Sequence, residues 1–110
     1  MAKFEIYKSK GGKFHFRLKS GNGQTVLTSQ GYAAKSGAKN GIESVRKNVS
    51  RDGGTEMFNG KNGDTYFRIK ATNGQIVASS EGYKTGRGAA NGLASVQKNA
   101  GDATVEDTTA

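Results

Sequence analysis

A constant shift of 51 positions lays residues 4–48 of this chain over residues 55–99 without a gap and finds about 21 identities in 45 positions. Such self-similarity marks a duplicated structural unit. Glu5 falls on Glu56, Phe16 and Arg17 on Phe67 and Arg68, Lys19 on Lys70, and Asn22-Gly23-Gln24 on Asn73-Gly74-Gln75. The longest match sets GYAAKSGAKNGIESVRKN, from Gly31, over GYKTGRGAANGLASVQKN, from Gly82. Whatever the first half builds, the second half builds again. A unit of about 50 residues buries too little surface to be comfortable alone. The expectation is therefore one compact domain over residues 1–110, made of a first repeat at 3–51 and a second at 54–107.

Within a repeat, FEIYK from Phe4 and FHFRLK from Phe14 alternate apolar and polar residues, the period of half-buried strands. The looser segments KGGK and KNGD close the first hairpin of each repeat. Asn22-Gly23, repeated as Asn73-Gly74, suits a type I′ turn into a third strand, QTVLTS. Two registers stay open there. A two-residue turn sets Leu18 opposite Leu27, whereas a three-residue loop including Gly21 sets it opposite Val26, and one residue of slip exchanges the faces.

After Tyr32 the period changes. Ala38, Ile42, Val45 and Val49 form one helical stripe, copied by Ala89, Leu93, Val96 and Ala100. Gly41 and Gly92 edge that stripe and let the helix lie close on a sheet, at a cost of about 1 kcal/mol relative to Ala. Asn48 and Asn99 fit the helix end, because Asn tolerates left-handed geometry. The fold class is α+β: a tandem repeat of three antiparallel strands plus one helix, βββα-βββα, joined as one sheet, both helices on one face, with a pseudo-two-fold axis. A short last strand through Ala103–Val105 is expected, followed by a disordered acidic end.

Composition narrows the function classes. The chain has no Cys, so disulfides, thiolate nucleophiles and thiolate metal sites are excluded together. It has no Pro and 17 Gly, so its turns fall to Gly, Asn and Asp. MAKFEIYK lacks the apolar core of a signal peptide and no run of about 18 apolar residues occurs, which points to the cytosol and away from the membrane. The net charge of +8 is unevenly held: residues 1–51 carry eleven Lys and Arg against Glu5 and Glu43, while the remainder carries six bases and seven acids. The first repeat is strongly basic and the second nearly neutral.

His15 is the only histidine, nothing is spaced to partner it, and it sits on the polar phase of its strand where the copy has Tyr66. Glu5 and Glu56 fall opposite Arg17 and Arg68 if the first hairpin is centred near Gly11, an ion-pair arrangement rather than paired general acids. TGRGAANG, SKGGK and GKNGD lack the spacing and context of phosphate loops. No catalytic residue, metal site or cofactor is expected, and an enzyme acting on a small anion through His15 is the alternative.

Two binding surfaces remain. His15, Arg17 and Lys19 alternate outward on one strand, Tyr66, Arg68 and Lys70 on its copy, and Tyr7 and Phe58 share that phase. Rings among cations are what single-stranded RNA or DNA uses, rings for stacking and bases for phosphate. A solvated sheet face carries Lys and Arg anyway to discourage edge pairing. The other surface is the helical stripe Asn40, Ser44 and Lys47, repeated as Asn91, Ser95 and Lys98, which a protein partner could read twice. Tyr32 and Tyr83 are expected to pack their rings under the helix starts with the hydroxyl in water. The candidate partners are a nucleic acid or an acidic protein.

The doubled series F-R-L/I-K, N-G-Q, G-Y and N-G-x-x-S-V-x-K-N resembles the YegP-like family of small bacterial proteins from residue 3 to about 107. The resemblance implies a fused pseudo-dimer with one continuous sheet, monomeric, in which the strand after each helix is exchanged between units. It implies no activity, since the family is a domain of unknown function. That pattern usually has Ser or Thr two residues after the Tyr. Thr85 keeps this capping hydroxyl, whereas Ala34 lacks it, a loss of about 1 kcal/mol unless Ser36 substitutes.

Overall fold

The computed structural model describes residues 2–109. Six strands and two helices follow the repeat: β1 (Lys3–Lys8), β2 (Phe14–Lys19), β3 (Thr25–Ser29), α1 (Lys35–Asn48), β4 (Thr55–Asn59), β5 (Thr65–Lys70), β6 (Ile76–Ser80) and α2 (Gly86–Asn99). A seventh strand, β7 (Thr104–Asp107), completes one sheet in the order β4-β5-β6-β3-β2-β1-β7. The repeats meet where β3 pairs antiparallel with β6, with Thr28 opposite Ser79. Those two residues are equivalent under the shift of 51, so the pseudo-two-fold axis passes between them.

Alternation along the strands sends Phe4, Ile6, Phe16, Leu18 and Leu27 to the helix side, joined by Phe67, Ile69 and Ala78 from the second repeat. With Ala38, Ile42, Val45, Ala89 and Val96 of the helices they form one cluster that runs through both repeats. Arg46 and its counterpart Gln97 lock the helices reciprocally. Arg46 Nε donates to the Ala100 carbonyl at 3.1 Å, and Gln97 Nε2 donates to the Val49 carbonyl at 3.0 Å, each satisfying an orphan acceptor at the other helix's C-terminus.

The turns differ from the type I′ expectation. The Ser20 amide donates to Gln24 O and the Gly23 amide to Ser20 O, so the loop has three residues, and Ala71 to Gln75 repeats it. Only the glycine is left-handed, Gly23 with φ +86° and Gly74 with φ +84°. Asn22 stays right-handed because its Oδ1 accepts from the Gln24 amide at 3.1 Å, which stabilises the looser turn. The three-residue loop sets Lys19 opposite Thr25, and a bulge between Leu18 and Lys19 then returns Leu18 to Leu27. Both open registers are thus partly realised, and the bulge puts Leu27 in the core.

Three further expectations are corrected. Asn48 is not left-handed: among the described residues no non-glycine has positive φ. It ends α1 as a buried side chain instead, donating to Ser44 O at 2.8 Å and Ser44 Oγ at 3.1 Å while accepting from Arg51 Nε at 2.7 Å. The acidic end is ordered through Thr109, since Glu106 pairs with Lys3, Asp107 with Lys35, and the Thr108 amide donates to Ile6 O. The strand exchange occurs once: β7 crosses to pair parallel with β1, whereas the chain after α1 turns at Gly53 and enters β4 directly. Ala34 makes no side-chain cap, Ser36 supplies none, and Thr85 Oγ1 accepts from the Gly88 amide at 3.0 Å.

Candidate binding face of the sheet

The face opposite the helices is built by the odd phase of β1 and β2 and its copy in β4 and β5. One cross-strand row spans the whole sheet: Glu56, Arg68, Ser79, Thr28, Arg17, Glu5 and Glu106. Two hydroxyls therefore sit on the pseudo-axis, a guanidinium on each side and a carboxylate beyond each guanidinium. Strands are about 4.8 Å apart, which separates the Arg17 and Arg68 backbones by roughly 14 Å.

The first hairpin pairs Glu5 with Arg17, as its centre near Gly11 requires. Arg17 Nε lies 2.9 Å from Glu5 Oε1, Lys19 Nζ 3.3 Å from the same oxygen, and Lys3 Nζ 3.4 Å from Oε2. The Arg17 hydrogen bond, helped by both lysines, lowers the Glu5 pKa to about 2. Glu56 has two partners, Arg68 and Lys70 Nζ at 3.8 Å, and its pKa is lowered chiefly by Arg68. The position of the third cation, Lys3, is taken by Gly54.

The rings stack in the same pattern twice. His15 lies 5.3 Å from Tyr7 at 14°, with the Arg17 guanidinium 4.5 Å from the Tyr7 centroid. Tyr66 lies 5.4 Å from Phe58 at 15°, with the Arg68 guanidinium 4.4 Å from the Phe58 centroid. Glycines clear the ground for them. A Cβ on Gly31 would press on Lys13 and His15, and one on Gly82 would press on Asp64 and Tyr66. The expected face residues Tyr7, His15, Arg17, Lys19, Tyr66, Arg68 and Lys70 are therefore assembled together, all half-buried. Thr28 and Ser79 were missed, although the repeat of a hydroxyl at an outward strand position was a usable signal.

The helical stripes lie elsewhere. Asn40, Ser44 and Lys47 line a groove between α1 and the β5–β6 turn at Ala71 and Thr72. Ser44 accepts from Asn48, and Ser95 from Asn99 Nδ2 at 3.3 Å, which gives these serines a structural job at the helix ends. Asn91 and Lys98 are exposed. Tyr32 and Tyr83 pack on Phe16 and Phe67 at 6.4 and 6.1 Å, and burial raises both phenol pKa values. No group of three potential metal ligands occurs among the described residues, and none of their helices is long and apolar enough to cross a membrane.

The family model for a domain of unknown function, DUF1508, matches residues 9–53 and 61–107, one match per repeat. The chain belongs to the DUF1508 family. It is 46% identical over 106 residues to a UPF0339 protein of Pseudomonas aeruginosa and 44% identical over 106 residues to the UPF0339 protein YegP of Escherichia coli K12, in each case over 96% of both chains. The solution structure of E. coli YegP, described as a protein of unknown function, superposes with a TM-score of 0.91 at 43% identity, covering 97% of this chain and 92% of that one. A UPF0339 protein of Shewanella oneidensis gives 0.90 at 40% identity, covering 96% and 90%. DUF1508 membership supports the doubled α+β architecture and carries no biochemical activity with it.

Proposed function

We propose that this protein is a non-catalytic cytosolic binding module, active as a monomer, whose bare sheet face holds single-stranded RNA or DNA. The observation that carries this reading is the pseudo-symmetric row Arg68, Ser79, Thr28, Arg17, flanked at each end by an aromatic pair with its own guanidinium. A strand of nucleotides laid across the axis meets two guanidiniums carried on strands roughly 14 Å apart with two hydroxyls between them, and ring edges on either side. Lys19 and Lys70 add charge to the same face, and the surplus of bases in the first repeat biases the complex toward that end. The intramolecular ion pairs moderate affinity rather than abolish it, because Glu5 and Glu56 are each outnumbered by their cations.

The test is fluorescence anisotropy with labelled single-stranded RNA and DNA at low salt. The expected Kd is on the order of 10⁻⁴ to 10⁻⁶ M, weakening as salt rises. Arg17→Ala with Lys19→Ala should weaken binding. Thr28→Val with Ser79→Ala should do so as well while adding no charge that competes for Arg17 or Arg68, which separates loss of binding from loss of the ion pairs. No binding at low salt sinks the reading. Preference for polyglutamate over the oligonucleotides would assign the face to an acidic protein instead, and saturable shifts of His15 with a small anionic metabolite would revive the alternative of an enzyme acting on a small anion.

A further inference from the structure

The sheet is symmetric except at its ends. β1 is covered by β7, paired in parallel with Phe4 beside Val105, Glu5 beside Glu106 and Ile6 beside Asp107. β4, the copy of β1, has no strand on its outer side among the described residues. Ile6 O accepts from the Thr108 amide, so the backbone groups of Phe4 and Ile6 point to β7. The Gly54 carbonyl accepts from the Lys70 amide on β5, which puts Gly54 on the inward phase and leaves the N–H and C=O of Thr55 and Met57 facing out at β4. Side-chain burial follows the same difference. Phe4 and Ile6 are fully buried, whereas Met57 is 42% exposed, and Leu93 is less buried than its counterpart Ile42.

We propose that the outer edge of β4 is a docking site for an extended peptide of another protein, added as a parallel strand in the register that β7 takes on β1. The sequence that fits can be read from the two ends. At the position of Val105, which lies with Ile42, Lys39 and Glu43 over α1, the counterparts Leu93, Ala90 and Ala94 call for an apolar side chain. At the position of Glu106 the incoming residue stands beside Glu56, which lacks the third cation that Lys3 gives Glu5. A Lys or Arg belongs there. At the position of Asp107, Gly86 replaces the Lys35 that holds that carboxylate 2.8 Å away, and Met57 lies alongside, so the residue is again apolar. The occupant is an apolar–basic–apolar strand. A second copy of this chain fits less well, because antiparallel pairing of two β4 edges about Met57 sets Glu56 against Phe58 and supplies no cation.

The probe is a fluorescein-labelled peptide containing TVKVTT, the β7 sequence with both acids replaced, titrated into the full chain and followed by anisotropy and amide NMR. Saturable binding with shifts centred on residues 54–59 and on Leu93 is expected, weakened at least fivefold for the TVEVTT peptide and for Glu56→Gln. Met57→Pro removes an outward N–H that has no intramolecular partner, so it should abolish binding while the remaining spectrum stays folded. The proposal is overturned by no shifts at about 1 mM peptide, an affinity weaker than millimolar, by equal binding of the two peptides, or by a dimer in sedimentation that Met57→Pro dissolves.

Discussion

Glu5 and Glu56 hold the same place in the two repeats and differ in how they are held. Glu5 is 6% exposed and touches three cations, and its pKa of about 2 lies below the ordinary 4.5. A carboxylate depressed on folding stabilises the native state above its ordinary pKa and loses that contribution as pH falls through the folded value. Glu5→Gln should therefore lower stability at pH 7 by about 1.5–3 kcal/mol, the range for hydrogen bonds to charged groups. Urea unfolding at pH 7, 4 and 2.5 should show the gap from the parent narrowing between pH 4.5 and 2. A gap independent of pH would contradict the ion-pair account, and Glu56→Gln should show a smaller one. The pairing of Glu5 with Arg17 was legible from strand alternation and a hairpin centred on Gly11. The contact of Lys3 with Glu106 was not, because it depends on a parallel strand about 100 residues away in sequence.

The helices show how far pattern reading reaches at the scale of an element. The stripe from Ala38 to Val49 was legible from its period, and the glycines at its edge were rightly placed against the sheet. Their neighbours were not legible: a Cβ on Gly41 would meet the Phe16 ring at 2.7 Å and the Tyr32 hydroxyl, and one on Gly92 would meet the Tyr83 hydroxyl and the Phe67 ring. Helix and sheet thus approach through an aromatic pair, with the tyrosine hydroxyl reaching mid-helix rather than bulk water. Gly41→Ala and Gly92→Ala should each destabilise by about 1–3 kcal/mol, an overpacking cost that exceeds the helix-propensity gain of about 1 kcal/mol. Gly86→Ala, where nothing lies within 4 Å, should be neutral or stabilising. Thermal unfolding of the three variants decides it, and a stabilising Gly41→Ala would mean the rings yield. The turn and bulge were illegible for a different reason. An Asn-Gly pair serves both a two-residue and a three-residue loop, and the choice rests on the Asn22 side chain and on where Leu27 must go.

For the whole molecule the duplication is what makes the chain foldable. Each repeat supplies three strands and a helix, but neither encloses its own apolar residues. The core cluster runs from Phe4 to Ala103, β3 pairs with β6 of the other repeat, and β7 closes β1 from the far end of the chain. The helix C-termini are satisfied across the same seam by Arg46 and Gln97. Separated residues 1–51 would lose β6, β7 and α2, uncovering Leu27 and the outer edge of β1 beside Ile6, and a unit of about 50 residues has little surplus burial to offset this. That fragment should be unfolded as a monomer, or folded only when two copies pair to rebuild the seam. Circular dichroism with sedimentation equilibrium separates these outcomes from the contrary one. A stable folded monomer with the helix content per residue of the full chain would mean that each repeat carries its own core, and that the seam between β3 and β6 joins two finished units instead of completing one.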